Sequence, residues 1–447
     1  MGVVARIVWA FAALLLAACG NPVAKNADAL MDDLDTQGVF TGAVVIAKKG
    51  EIVYERGFGM ADASRRFSPD TNAEAGSLAK TVTATAVLLL ESEGDIDLDA
   101  AANTYVAEFP YPEVTVRHLL SHSAGLPDYD AFEDLIESAA PTDNISLLKA
   151  AGERQPATAF APGSEFDYCN LCYDALAAIV EHVSGQSFID FIAARFFLPA
   201  GMTDTYIRPA KFVDWPGPRA LGYKLRGDKI ELNDVFDNEG FYGGANINFT
   251  SRDLARWMML WAENHAAIPP SVRKAAVQPA IINDAASGIS LGSWYFGGDG
   301  AHCYYTGHNQ GFHAFAYWDS REEIAIAFIS NNTMIAPIQP ALARSLIAIA
   351  EGCKPQRLVV DTQDEAGEAD IAAVAGAYKA DAGRSFSILN ESGRAFLVFS
   401  EAPRLLLYPV GFHILYAPGA DIYLLFDPSN EAVVVSSVFD EWQAYRR

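Results

Sequence analysis

A serine hydroxyl becomes a nucleophile only when a neighbouring base takes its proton. Ser77 stands three residues before Lys80, a spacing that puts both side chains on one face of a helix. The pattern recurs at Ser146/Lys149 and Ser271/Lys274, so it carries little weight alone, and those two serines read as helix starts on polar surface. Tyr168-Cys169-Asn170 is the sharper signal, because Tyr-x-Asn occurs once in the chain. A third segment, Tyr305-Thr306-Gly307, reads as a strand that holds substrate. Together they supply a nucleophile, a lysine one turn away, a phenol able to carry protons and a binding strand. That is the equipment for acyl transfer through a covalent intermediate.

The roles follow from acid–base chemistry. At a helix start, free N–H groups and the positive end of the dipole favour negative charge developing on Ser77. A lysine with its free pKa of roughly 10.4 is protonated, so Lys80 acts as a base only if desolvated or crowded by positive charge. A tyrosine, roughly 10 when free, becomes more acidic beside a charged lysine. Lys80 and Tyr168 therefore form a coupled pair sharing a proton. We expect Tyr168 to carry that proton to the leaving group, with Lys80 as its electrostatic partner. Asn170 is expected to position the Lys80 ammonium and a substrate carbonyl. His118 and His122 lie four apart without an HExxH glutamate and read as structural. No metal or cofactor is expected.

Periodicity indicates the elements that must position these groups. Residues 24–37 read as a short amphipathic helix ending at Gly38. Residues 42–46 and 52–57 are β-rich and joined by the hairpin signal Lys48-Lys49-Gly50-Glu51. From Ser77 to about Glu93 the pattern Val82, Ala86, Val87, Leu90 is helical, and Gly94 stops it. The middle, to about residue 290, reads as mostly helical, as at 174–184 and 253–262. β-type runs return at 303–306, 312–318 and 324–330, before a helix at 341–351. Strands at both ends around central helices imply an α+β domain whose distant segments share one sheet, beside a helical lobe. An acidic, polar stretch at 361–370 falls within an expected linker, 353–370. Short β runs follow at 386–389, 395–399, 405–408, 413–416, 422–426 and 433–438. Their regular turns suggest a small antiparallel sandwich or barrel over 371–447.

With 447 residues, 51% of them apolar, the chain has ample material for two cores. A formal charge of −24 argues against nucleic acid as a partner and against electrostatic adhesion to anionic lipid.

Further landmarks accompany the three signatures. Residues 75–84, Ile96-Asp97-Leu98-Asp99, residues 116–127, Gly243-Gly244 with Ser251-Arg252-Asp253-Leu254, and Gly307-His308-Asn309-Gln310-Gly311-Phe312 resemble those of the serine β-lactamase-related hydrolases. That family includes class C β-lactamases, D-alanyl-D-alanine carboxypeptidases and related esterases. The resemblance runs from about Phe40 to about Glu351. It implies the serine β-lactamase/penicillin-binding-protein-like fold over 36–352, an antiparallel sheet flanked by helices plus a helical lobe. It also implies an oxyanion hole from the backbone N–H groups of Ser77 and His308, with substrate contacts from Asn170, Tyr305, Thr306, Gly307 and His308. One position departs from the family pattern. The third motif usually begins with lysine or histidine, which helps grip a substrate carboxylate; Tyr305 is a neutral phenol without a fixed charge. The departure favours esters or amides that lack a demanding carboxylate. The implied activity is hydrolysis of an ester, amide or D-amino-acid peptide through an acyl-enzyme. The other reading is a catalytically weak envelope protein that binds peptidoglycan fragments or a partner in the same cleft.

The N-terminus suggests a location. Residues 7–16 are an apolar run after Arg6, too short to span a membrane, and end in Leu16-Ala17-Ala18-Cys19-Gly20. This resembles a bacterial lipoprotein signal, with 1–18 removed, Cys19 lipidated and 19–35 serving as anchor and linker. Each buried methylene of the lipid would contribute roughly 0.8 kcal/mol. Gly20 is not an acidic retention signal, so the expected site is the periplasmic side of the envelope, at the outer membrane where there is one. Four further cysteines allow three pairings. Cys169 and Cys172 are expected as a local bridge or as two buried thiols. The helix ending near Cys353 should pack on the sheet that carries Cys303, which leaves a Cys303–Cys353 bridge open.

Overall fold

The computed structural model describes residues 21–446 apart from 137–141, 156, 227–228, 236, 238, 263–264, 297–300, 355–357, 359–370, 381–382, 392, 400–403, 410–412, 419 and 427–431. The expected signal, the lipidation site Cys19 and the acidic stretch 361–370 lie outside the described residues.

Helix α1 (Pro22–Thr36) starts where the Asn21 side chain accepts the Val23 N–H, with proline in the first turn, where its missing N–H costs nothing. It buries Ala27, Leu30, Met31 and Leu34, one stripe at helical spacing. The segment expected as anchor and linker is thus, from Pro22 onward, a packed helix of the first domain. Strands β1 (Gly42–Lys48) and β2 (Glu51–Phe58) follow as a hairpin. Helix α2 (Ala79–Glu93) is buried all round from Ala79 to Leu90 and ends at Gly94 in the left-handed conformation. Its three internal threonines bond back to helix carbonyls, which satisfies hydroxyls that burial would otherwise strand. Helix α3 (Asn170–Ser184) packs against α2, and α4 (Ser251–Met259) lies across the sheet.

The sheet is completed by β3 (Pro279–Ile282), β4 (Ala285–Ser290), β5 (Tyr295–Phe296), β6 (His302–Asn309), β7 (Phe312–Asp319) and β8 (Ile324–Ser330). Its order is β2-β1-β8-β7-β6-β5-β4-β3, antiparallel throughout. β7 and β8 are buried along their whole length, as expected of strands covered on both faces. Helix α5 (Gln339–Ala350) follows and packs on α1 and β8. The α+β architecture is the one the resemblance implied. β3 and β4 fall in the part expected to be mostly helical. They form the sheet edge: β3 opens with proline and β4 is mostly Ala, Ser and Gly, residues of weak β preference.

The second domain is a closed eight-stranded barrel. Strands β10 (Ser385–Glu391), β11 (Arg394–Phe399), β12 (Leu405–Pro409), β13 (Ile414–Ala417), β14 (Ile422–Phe426) and β15 (Ala432–Ser436) coincide with the six expected runs. Closure comes from two strands without such a run, β9 (Gly376–Lys379) and β16 (Glu441–Arg446), paired through Tyr378 and Arg446. Closing the barrel leaves no unpaired edge.

A Cys303–Cys353 bridge does not form: both thiols are free. Cys303 sits buried on β6. Cys353 lies beyond α5, where its carbonyl accepts from Asn26 of α1. Strands β7 and β8 separate β6 from that end of the sheet.

Candidate active site

Two glycines bring the nucleophile turn against the sheet. A Cβ on Gly307 would lie 1.8 Å from the Ala75 carbonyl oxygen, and one on Gly76, whose φ is +53°, would lie 2.7 Å from the His308 backbone. Only glycine permits both approaches. Ser77 lies in a 3₁₀ turn, Gly76–Leu78, that leads into α2, rather than in the helix proper. The turn is held by Glu74, whose Oε1 accepts the N–H groups of Gly76 and Asn246 at 3.0 and 3.1 Å. Burial raises the Glu74 pKa, and Arg208 opposes that rise; the guanidinium also pairs with Glu239.

Three segments converge on the Ser77 hydroxyl. Lys80 Nζ, fully buried, donates to Ser77 Oγ at 3.2 Å, to Asn170 Oδ1 at 2.6 Å and to the Gly244 carbonyl at 2.6 Å. Those acceptors match the three donors of an ammonium. The Tyr168 hydroxyl donates to Ser77 Oγ at 2.8 Å and lies 3.3 Å from the Tyr305 hydroxyl. Lys80 also sits 4.8 Å from the centre of the Tyr168 ring, where the π face attracts a cation.

Supporting residues were not visible as motifs. Asp128 accepts from Asn170 through both its backbone N–H and its side-chain amide. That contact turns the amide so that Oδ1 meets Lys80. Desolvation raises the Asp128 pKa to about 6, against hydrogen bonds and the nearby Lys80 charge. Asp174, buried at the base of α3, accepts the Gly244 N–H at 3.1 Å and the Tyr129 hydroxyl at 2.8 Å. Desolvation pushes it up to about 7. His122 is stacked on the Tyr168 ring, centroids 4.6 Å apart, and its Nδ1 accepts the Cys169 N–H. Burial and the Lys80 charge hold its pKa down, so it packs as a neutral ring. His118 caps a short helix instead, its Nδ1 accepting the Thr115 N–H. Cys169 and Cys172 form a disulfide around Asn170 at the start of α3, the local bridge of the two expected states.

The opposite wall belongs partly to the barrel. Tyr305 is buried with its ring stacked on Tyr295, centroids 5.1 Å apart, and burial raises its pKa, so it stays neutral. Thr306 Oγ1 donates to Asp421 at 3.1 Å and lies 3.3 Å from the Tyr416 hydroxyl. The His308 ring points to the barrel, where Nε2 meets the Tyr423 hydroxyl at 3.1 Å. Burial lowers the His308 pKa to about 4, which keeps that ring uncharged. The cleft between the walls has a volume of about 500 Å³. Ser77, Tyr168, Asn170, Tyr305, Thr306 and His308 line it, with Tyr408, Tyr416 and Pro418 from the barrel. No cluster of three His, Cys, Asp or Glu suited to a metal occurs among the described residues.

An antiparallel sheet with flanking helices, a buried Ser-x-x-Lys turn and an apposed Tyr-x-Asn define a β-lactamase-type domain. A family model described as Beta-lactamase matches residues 23–349, and the chain belongs to that family of hydrolases. Penicillin-binding protein 4* of Bacillus subtilis (strain 168) is 27% identical over 411 residues, covering 86% of this chain and 89% of that protein. The octameric penicillin-binding protein homologue from Pyrococcus abyssi superposes with a TM-score of 0.62 at 21% identity, over 94% of this chain and 99% of its own. A D-stereospecific amidohydrolase from Streptomyces sp. gives a TM-score of 0.54 at 20% identity, over 70% and 94%. The two structural likenesses speak to the fold.

Proposed function

We propose that the protein is a serine hydrolase acting through an acyl-enzyme on an ester, amide or D-amino-acid peptide. Ser77 Oγ attacks the substrate carbonyl as its proton passes to Tyr168, with Lys80 as the electrostatic partner of that tyrosine. The C–O bond to Ser77 forms, the bond to the leaving group breaks, and Tyr168 returns the proton to the departing atom. Water then repeats the sequence in the second half. Asn170 holds the ammonium, and the N–H groups of Ser77 and His308 receive the developing oxyanion. The observation that carries this reading is the convergence of Lys80 and Tyr168 on one oxygen across 91 residues of chain. Relatives named penicillin-binding protein and D-stereospecific amidohydrolase support a D-amino-acyl substrate among the candidates.

Incubating the full chain with a fluorophosphonate or a fluorescent penicillin should give an adduct located on Ser77 by mass spectrometry. Ser77→Ala should lose that adduct and lower turnover on the order of 10⁴-fold or more. Absence of adduct, together with no turnover of short esters, a chromogenic cephalosporin or a D-Ala-D-Ala peptide, would favour the binding role instead. We also propose export as a lipoprotein anchored through Cys19. Radiolabelled palmitate should enter the wild-type protein and not Cys19→Ser.

A further inference from the structure

We propose that the barrel sets the substrate class: Asp421, acting through Thr306, turns away acyl substrates that carry a carboxylate and leaves neutral esters and amides as the class accepted. The proposal deepens the hydrolase reading and rests on it. A hydroxyl on the wall facing the nucleophile can bind a substrate carboxylate only by donating its proton. Thr306 gives that proton to Asp421 Oδ1, and the Tyr416 hydroxyl donates to the same oxygen at 2.9 Å. The Thr306 and Tyr416 hydroxyls are therefore both committed to a carboxylate supplied by the protein itself, 115 residues beyond Thr306 in the chain.

Charge reinforces the geometry. Asp421 is fully buried, so little water screens it from an anion placed against Thr306. The lining of the cleft includes Asp128 and Glu133, with Glu239 paired to Arg208, and no lysine or arginine among its described residues; Lys80 behind Ser77 is committed to Ser77, Asn170 and Gly244. Tyr305 adds no positive charge, since its phenol is buried and faces Tyr168. A second carboxylate placed by substrate against Thr306 would find the Thr306 and Tyr416 hydroxyls already committed and a like charge behind them. An ester or amide end brings neither penalty. Asp421 is thus a positioning residue: it acts on substrate through Thr306 and Tyr416.

The backbone supplies a clean variant. Asp421 has φ of +49°, a conformation that glycine and asparagine adopt with least strain. Asp421→Gly removes the carboxylate and frees both hydroxyls; Asp421→Asn keeps one acceptor oxygen, removes the charge and puts an NH₂ donor in place of the other oxygen. The probes are an N-acetyl-D-alanyl thioester of thioglycolic acid and its methyl ester, which share the acyl group and differ in one leaving-group carboxylate. Released thiol is followed for the full-length chain. Wild type should favour the methyl ester. In Asp421→Gly the acid-to-ester ratio of kcat/KM should rise at least tenfold, carried by a lower KM for the acid, and Asp421→Asn should recover part of that rise. An unchanged ratio, or a parallel fall in kcat for both probes, would overturn the proposal while leaving the hydrolase reading intact. A wild-type protein that cleaves neither probe nor any ester, and forms no Ser77 adduct, would remove the hydrolase reading and this proposal with it.

Discussion

On the nucleophile wall of the cleft, polar groups are satisfied from within the catalytic domain: Lys80 spends its donors on Ser77, Asn170 and Gly244, and Asp128 and Asp174 hold two of those acceptors in place. On the facing wall, Thr306 and His308 turn their polar atoms to Asp421 and Tyr423 of the barrel. One wall is thus closed on itself, and the other is completed by a separate domain. The difference separates chemistry from selection. A group that must hold reacting atoms within tenths of an ångström is best set by rigid neighbours on its own elements. The part of the facing wall that admits or refuses substrate, at Thr306, can be remodelled by a docked domain without disturbing the nucleophile.

The largest expected effects test the closed wall. Tyr168→Phe and Lys80→Ala should each lower kcat by about 10²–10⁴-fold. Because both act on the same oxygen, the double variant should lose little beyond the worse single one. Steady-state kinetics on one good ester decide the point. Losses that multiply would mean that the two residues work independently and that the proton is not shared between them.

The two walls also differ in how plainly the amino-acid sequence announces them. Ser77, Lys80, Tyr168 and Asn170 were legible because each pair is local, three residues apart on a turn or two apart at a helix start. Asp128, Asp174 and Asp421 were not, since each works by tertiary contact and sits in no spacing that predicts it. The bond from Asp421 to Thr306 spans 115 residues, a separation no periodic pattern reports. The same distinction holds for the fold. Apolar runs such as 324–330 declared their strands, whereas β9 and β16 carry only scattered apolar residues among exposed ones and became strands because barrel closure required partners for their neighbours. The helix before Cys353 packs on the sheet as expected, but against β8, two strands from Cys303 on β6, because order in a sheet is not order in the chain.

Asp174 offers a measure of what closing the wall costs. Its carboxyl is raised to about 7 in the fold, mainly by desolvation, against about 3.9 when free. Between those values the folded state binds the extra proton, so stability falls as pH rises from about 4 through 7. Asp174→Asn removes that dependence. The unfolding free-energy advantage of the variant over wild type, measured by chemical denaturation, should therefore grow from pH 4 to pH 8, toward on the order of 2–4 kcal/mol. Parallel pH curves would show that the wall does not pay for ionising this group. Activity should move the opposite way, since asparagine gives the Tyr129–Gly244 pair a weaker acceptor than a carboxylate does.

On the other wall, Tyr305→Lys should raise the acid-to-ester preference by about tenfold, equivalent to ~1.4 kcal/mol, by putting a cation where the phenol now stands. The same change removes the hydroxyl that meets Tyr168 at 3.3 Å, so kcat on neutral esters should fall at the same time. A gain in preference without that fall would mean the Tyr305 hydroxyl does not help to hold Tyr168.

The smallest effect should come from the rim where the domains meet. Arg394 pairs with Asp167 at 2.9 Å and Arg404 with Glu165 at 2.7 Å, both just before Tyr168 in the chain. Arg394 is exposed, while Arg404 and both carboxylates are half-buried, and such rim pairs contribute on the order of 1 kcal/mol or less each. The buried hydroxyl cluster around Asp421 is shielded from ions; the rim pairs are not. Replacing both arginines with alanine should change KM for a neutral ester only about two- to threefold, an energy below ~1 kcal/mol, and 0.5 M NaCl should reproduce the change in wild type. A loss above tenfold would mean that the rim, and not the Thr306–Asp421–Tyr416 contact, keeps the barrel in register with the cleft, and the facing wall would then be as salt-sensitive as any surface.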